Sequence, residues 1–96
     1  MAVVRVRHTV KEYALWKRAF DADPLDRTGS NVRRYRIMRD ASDELDLTID
    51  LMFSDVAQAE DMARRLRELW RRPEVAGMLG GPTATVLVEV EERALE

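Results

Sequence analysis

A chain of 96 residues fits one domain around one core, spanning 1–96, and its formal charge of −2, from 16 basic and 18 acidic side chains, offers no overall positive field for nucleic acid. The lack of cysteine excludes disulfides, thiolate metal sites and a cysteine nucleophile. A domain this small buries roughly two-thirds of the surface its unfolded chain exposes, so association with a second copy is a natural source of further burial.

The first residues, MAVVRVRHTV, are too charged for a secretory signal, and no stretch approaches the roughly 18 apolar residues of a membrane span. The expectation is a cytoplasmic, unprocessed protein. Residues 3–9 alternate, with Val4, Val6 and His8 on one side and Arg5, Arg7 and Thr9 on the other, the period of a half-buried strand. Thr9 followed by Glu12 matches a capping box, and Tyr13, Trp16, Ala19 and Phe20 then form one stripe of a helix running to about Asp23. Pro24 and Gly29 punctuate the connection that follows.

Residues 32–39 read as a second strand, with Tyr35 and Ile37 on one face and Arg34, Arg36 and Met38 on the other. The polar run Asp40 to Glu44 turns the chain into a third strand, 45–53, which sets Leu45, Leu47, Ile49, Leu51 and Phe53 against Asp46, Thr48, Asp50 and Met52. Ser54 or Asp55 can cap a second helix whose stripe, Val56, Ala59, Met62, Ala63, Leu66, Leu69 and Trp70, lasts until Pro73. Gly77, Gly80, Gly81 and Pro82 read as a turn before a last strand, 83–91. These glycines neither follow a strand nor open a helix in a nucleotide-binding frame.

The order is β-α-β-β-α-β. Strands one and two carry Arg5, Arg7, Arg34 and Arg36 on their polar faces, whereas strands three and four carry Asp46, Asp50 and Glu89. In the spatial order 4-1-3-2 every strand meets opposite charge, worth about 0.2–1 kcal/mol per cross-strand pair. Composition and charge thus point to an α+β, ferredoxin-like sandwich with two helices on one sheet face. The other face is polar and charge-complementary, suited to water or to a second copy.

His8 is the only histidine, placed by alternation on the apolar face. With an ordinary pKa of about 6.5 an imidazole there can act as general acid or base, or can be a hydrogen-bonded core residue. Tyr13, Trp16, Tyr35 and Trp70 fall on the faces that meet between sheet and helices, where aromatic rings line a flat cavity or simply fill a core; for Trp70 the core reading is preferred. Arg27, in DPLDRTG, is placed to guard a pocket mouth or to sit in solvent. One histidine without cysteine is a poor donor set for metal.

The order His8-Thr9-Val10, Tyr13, Trp16-Lys17, Phe20-Asp21, Arg27, Tyr35-Arg36, Ala76-Gly77 and Gly80 to Pro82 resembles the dimeric α/β-barrel superfamily, in particular its antibiotic-biosynthesis monooxygenase-like and polyketide cyclase-like members. The resemblance implies two ferredoxin-like protomers packed sheet against sheet, each with a pocket between its own sheet and helices. It also implies a cofactor-free enzyme of monooxygenase or cyclase type acting on a hydrophobic aromatic or polyketide-like molecule. His8 would then serve as acid or base and Arg27 would stabilise developing negative charge, while Tyr13, Trp16 and Tyr35 would bind substrate. The rival is a non-catalytic ligand-binding or structural dimer. Cavity volume beside His8 discriminates the two: a few hundred Å3 of accessible space supports the first, and close packing the second.

Overall fold

Val4, Val6, His8 and Val10 can all face one way only if the first segment is extended, and the computed structural model, which describes residues 1–96, places them on a strand, β1 (Ala2–Val10). There follow α1 (Tyr13–Asp21), β2 (Arg34–Asp40), β3 (Asp43–Phe53), α2 (Val56–Trp70), a short α3 (Pro73–Ala76) and β4 (Leu79–Val88). The strands form one antiparallel sheet in the order β2-β3-β1-β4, the expected 4-1-3-2 read from the other edge. No helix is long and apolar enough to cross a membrane.

The core lies between one sheet face and the helices. Ala2, Val4, Val6 and Val10 of β1 and Leu47, Ile49, Leu51 and Phe53 of β3 are buried against Ala59, Met62 and Ala63 of α2. Fully burying side chains such as Val4, Leu47 or Phe53 stabilises the fold by about 1.5–3 kcal/mol each. The alanines let α2 approach the sheet closely, whereas α1 buries only Trp16. Asp55 caps α2 by accepting from the Gln58 amide at 2.9 Å.

The opposite face shows the expected charge alternation across three strands. Arg5 donates from Nε and Nη2 to the two Asp50 oxygens, each at 2.9 Å, and Arg36 adds a third bond from β2 at 3.1 Å. Arg7 reaches Asp46 at 2.8 Å. Asp50 is only 1% exposed, and the Arg5 hydrogen bonds, followed by the Arg36 bond, hold its carboxyl below the usual carboxylate range. On the fourth strand the expectation fails, because β4 ends at Val88 and Thr83 and Thr85, not an acid, flank Arg7 and Arg5.

Element ends shift by a few residues, and some local details differ from the sequence reading. Thr9 belongs to β1, and Glu12 is the N-cap of α1 without a side-chain bond, so the capping box does not form. Leu45, expected inward, is exposed near the hairpin turn. Pro73 opens α3 rather than only stopping α2, since its missing N–H and fixed φ suit a first helical turn. Gly80, Gly81 and Pro82 lie inside β4, because the pairing passes from Arg7–Thr83 to Thr9–Gly80 and sets His8 alone against Gly81 and Pro82. This is a β-bulge, with Gly81 at φ 53, a left-handed conformation that glycine adopts without strain.

Candidate functional site

His8 therefore sits at the one point where β1 meets an interrupted ladder, beside a cavity of about 390 Å3 between the sheet and the helices. Val6, His8, Ile49 and Leu51 form its sheet wall, Trp16, Ala19 and Phe20 come from α1, and Met62, Leu66, Leu69 and Trp70 come from α2. Pro24, Leu25 and Arg27 close it from the connection after α1, and Val75 of α3, Met78 and Leu79 at the start of β4 close it from the other end of the chain. An apolar hollow with few polar groups is the usual form of a small-molecule site. A second hollow, between the 26–31 connection and α2, is polar, with Ala57 its one hydrophobic wall residue.

His8 is 4% exposed, and its Nδ1 is buried without a hydrogen-bond partner. Burial pushes its pKa below the ordinary imidazole value, with the Thr9 backbone and the Asp46 charge opposing in part. Burial thus favours the neutral ring, in which one nitrogen accepts a hydrogen bond and the other donates. An unsatisfied buried polar atom costs about 1–3 kcal/mol, which a ligand hydroxyl or carbonyl can recover. The Trp16 ring stands 5.7 Å from the imidazole, tilted by 58°.

Trp16 continues an aromatic row along α1 to Phe20, centroids 5.1 Å apart, and on to Tyr35 of β2, again 5.1 Å. Tyr13 stands 5.8 Å from Trp16 but is 39% exposed, and Tyr35 is 45% exposed; neither is on the cavity wall. Tyr13 opens α1 at its exposed first turn, one turn before the buried Trp16. Arg27 does line the cavity, yet its guanidinium is already engaged. It donates from Nη1 to the Phe20 carbonyl at 2.7 Å, lies 3.5 Å from an Asp23 carboxylate oxygen, and stacks 4.0 Å over the Phe20 ring and 5.1 Å from Tyr35. It clasps the start of the connection against α1.

Trp70, preferred as core, is half-buried and contributes to the cavity wall. The walls built by residues 22–25 and 75–79 escaped the sequence reading, because the first is irregular chain and the second runs from a one-turn helix into the start of β4, both too short to show a period. Asp23, Asp26 and Asn31 adopt positive φ there, at 55°, 49° and 72°, and the backbone is held by Arg65, which donates to Ser30 Oγ at 2.6 Å and to the Leu25 carbonyl at 3.1 Å. The available signal was the apolar content of Pro24-Leu25 and Met78-Leu79, set between turn residues.

No protein-family model and no curated protein matches this chain. Among solved structures the fold is similar to that of Rv0793 from Mycobacterium tuberculosis, with a TM-score of 0.66 at 15% identity over 98% of this chain and 100% of that one. It is also similar to a protein from Deinococcus radiodurans described as a "putative antibiotic biosynthesis monooxygenase", with a TM-score of 0.59 at 12% identity over 100% of this chain and 99% of that one. The likeness establishes the ferredoxin-like fold over the whole chain.

Proposed function

We propose that this protein is a small cofactor-independent enzyme of monooxygenase or cyclase type, acting on a hydrophobic aromatic or polyketide-like molecule held in the cavity beside His8. The observation that carries the proposal is the pairing of a 390 Å3 apolar cavity with a single buried imidazole whose Nδ1 has no partner. The description of the Deinococcus radiodurans structure agrees with it. In this reading the flat substrate stacks on Trp16, and neutral His8 takes a proton from an acidic hydroxyl or from carbon next to a carbonyl. The resulting enolate either closes a ring without net redox change, or reacts with dioxygen, so that a CH2 becomes a carbonyl and the second oxygen atom leaves as water. Arg27 contributes by holding the wall, and any charge stabilisation it provides is weakened by Asp23. Two copies associate through the open sheet face, and a cytoplasmic location is proposed from the sequence.

The engagement of Arg27 favours one second reading, a binding protein that holds the same ligands without turning them over. Titration with a hydroxylated naphthalene tests both. Either reading requires the His8 ring resonances to shift and Trp16 emission to change. Turnover with oxygen uptake or ring closure, lost in His8→Gln, marks the enzyme; binding alone marks the second reading. Unmoved His8 resonances at saturating ligand solubility would defeat both.

A further inference from the structure

The cavity beside His8 is graded from floor to rim. Val6, His8, Trp16, Ile49, Leu51 and Met62 line it and are buried, so they form its floor. Ala22, Pro24, Arg72, Glu74 and Met78 line it and are exposed, which places its opening between the connection after α1 and the segment running from the end of α2 through α3. The charged residues of the wall, Asp23, Arg27, Arg72 and Glu74, all come from these two segments.

These four charges are not equivalent. Asp23 and Arg27 lie 3.5 Å apart and compensate each other, and Arg27 is further committed to the Phe20 carbonyl and ring. Across the opening, Arg72 and Glu74 take part in no ion pair, with each other or with any other residue. Arg71 is exposed and equally unpaired, so residues 71–74 carry two arginines against one glutamate. Of those arginines Arg72 is the one on the cavity wall. Its backbone is extended, φ −68° and ψ 134°, a conformation that the following Pro73 enforces, and its amide is used by the Leu69 carbonyl. The free guanidinium therefore stands on a fixed point of the rim.

We propose that the ligand of this cavity is a hydrophobic acid, with a flat apolar body and a carboxylate at the end remote from the group that meets His8, and that Arg72 selects it. The inference rests on the use of the cavity proposed above and names its substrate class. A carboxylate on the buried floor would lose its water with no cation to pair it, whereas at the rim it keeps contact with solvent and meets Arg72. The planar guanidinium fork matches the two oxygens of a carboxylate. With the acid held at the rim, the opposite end of a flat body is directed to His8, an orientation that apolar walls alone do not impose. The contact lies far from the reacting end and is made equally before and during reaction, so it acts on affinity rather than on turnover.

A matched pair of probes tests it. 2-Naphthol and 6-hydroxy-2-naphthoic acid share the flat body and the hydroxyl and differ by a carboxylate at the opposite end. Calorimetry gives their affinities, and the His8 ring resonances report that each sits in the cavity. The wild type is expected to bind the acid about tenfold more tightly than the naphthol, an advantage that shrinks with added salt. In Arg72→Gln the ratio of the two affinities should fall to about one, and in Arg72→Glu below one, because the charge at the rim is removed and then reversed. Melting curves and ligand-free His8 resonances that match the wild type certify the fold of each variant. A wild-type ratio near one, or a ratio that survives Arg72→Gln, overturns the role of Arg72 while leaving the cavity a ligand site, since both probes still move His8. Probes that leave the His8 resonances unmoved overturn the reading of the cavity and this inference with it.

Discussion

Replacing Asp50 with asparagine removes one charge from the most buried polar position in the sheet and leaves its shape intact. Asp50 accepts three hydrogen bonds, two from Arg5 and one from Arg36, and thereby ties β1, β3 and β2 together in the register that turns Val6, Ile49 and Leu51 toward the cavity. Breaking a fully buried ion pair costs about 3–5 kcal/mol. Here the arginine side chains are 48% and 57% exposed and regain water. Asparagine also keeps one acceptor oxygen, so the expected loss falls to about 1.5–3 kcal/mol. At about 4–8 °C per kcal/mol for a domain of this size, a loss near 2 kcal/mol lowers the melting temperature by about 8–16 °C. The control is Asp46→Asn, whose partner Arg7 is 66% exposed and whose ion pair is screened by solvent, so its loss should be clearly smaller than that of Asp50→Asn. Urea unfolding at one fixed protein concentration measures both variants. The sign with pH is also fixed: Asp50 is depressed, so its contribution is complete above the ordinary carboxylate range and is lost as pH falls through it toward the folded value. The two melting curves should therefore converge in acid. Equal losses for Asp50→Asn and Asp46→Asn, or a gap that widens in acid, would refute the assignment of Asp50 as the pin of the sheet.

Three further outcomes are expected. Trp70→Ala should cost about 1–3 kcal/mol, below the range for a fully buried tryptophan, and should change ligand affinity because the side chain is half-buried on the cavity wall; calorimetry with and without ligand reads both. His8 has a lowered pKa in the folded state, so its unfolded form binds protons first, and stability should fall as pH drops below about 6.5, by at most about 1.4 kcal/mol per pH unit. His8→Gln should flatten that limb without unfolding the protein, as followed by thermal melts from neutral to mildly acidic pH. Val6→Phe projects bulk into the cavity; it should escape most of the about 1–3 kcal/mol usual for overpacking a tight core and should abolish ligand binding, as measured by Trp16 fluorescence.

The sheet was legible because its physics is local and periodic. Alternation survives in residues 3–9 and, apart from the exposed Leu45, in 45–53, and the charges of Arg5, Arg7, Arg36, Asp46 and Asp50 specify which strands are neighbours, something hydrophobicity alone leaves open. His8 and Trp16 were legible for the same reason. Tyr13 and Tyr35 were harder to place, because periodicity gives the side of an element but not its depth, and both lie where their elements reach the rim. The bulge was hidden in what reads as a glycine-proline turn: Gly80 to Pro82 continue a strand because Thr9 and Val10 remain there to pair with Gly80 and Leu79. The state of Arg27 was not legible at all. Its partners, the Phe20 carbonyl and the Phe20 and Tyr35 rings, meet only after the connection folds back over α1.

The position of the cavity follows from the unequal seating of the two main helices. α2 spans fifteen residues and brings Ala59 and Ala63 against the strands, while Leu66, Leu69 and Trp70 towards its C-terminal end border the cavity. α1 spans nine, about 13 Å at 1.5 Å per residue, and is propped on the single bulky ring of Trp16. A short helix held off the sheet by an indole leaves space along its inner side, and close-packed interiors rarely keep such space in apolar surroundings. Here the connection after α1 roofs it instead of collapsing into it, since its Arg27 donates to the Phe20 carbonyl of α1 and its Leu25 carbonyl accepts from Arg65 of α2. The bulge at Gly81 and Pro82 then breaks the regular pairing beside His8 alone. An unpaired imidazole nitrogen, an aromatic prop and a roof clamped by Arg27 and Arg65 border one hollow, and of these the unpaired His8 Nδ1 carries a cost to stability. A flat molecule that hydrogen-bonds His8 offsets that cost, the strongest physical reason for treating the hollow as a binding site.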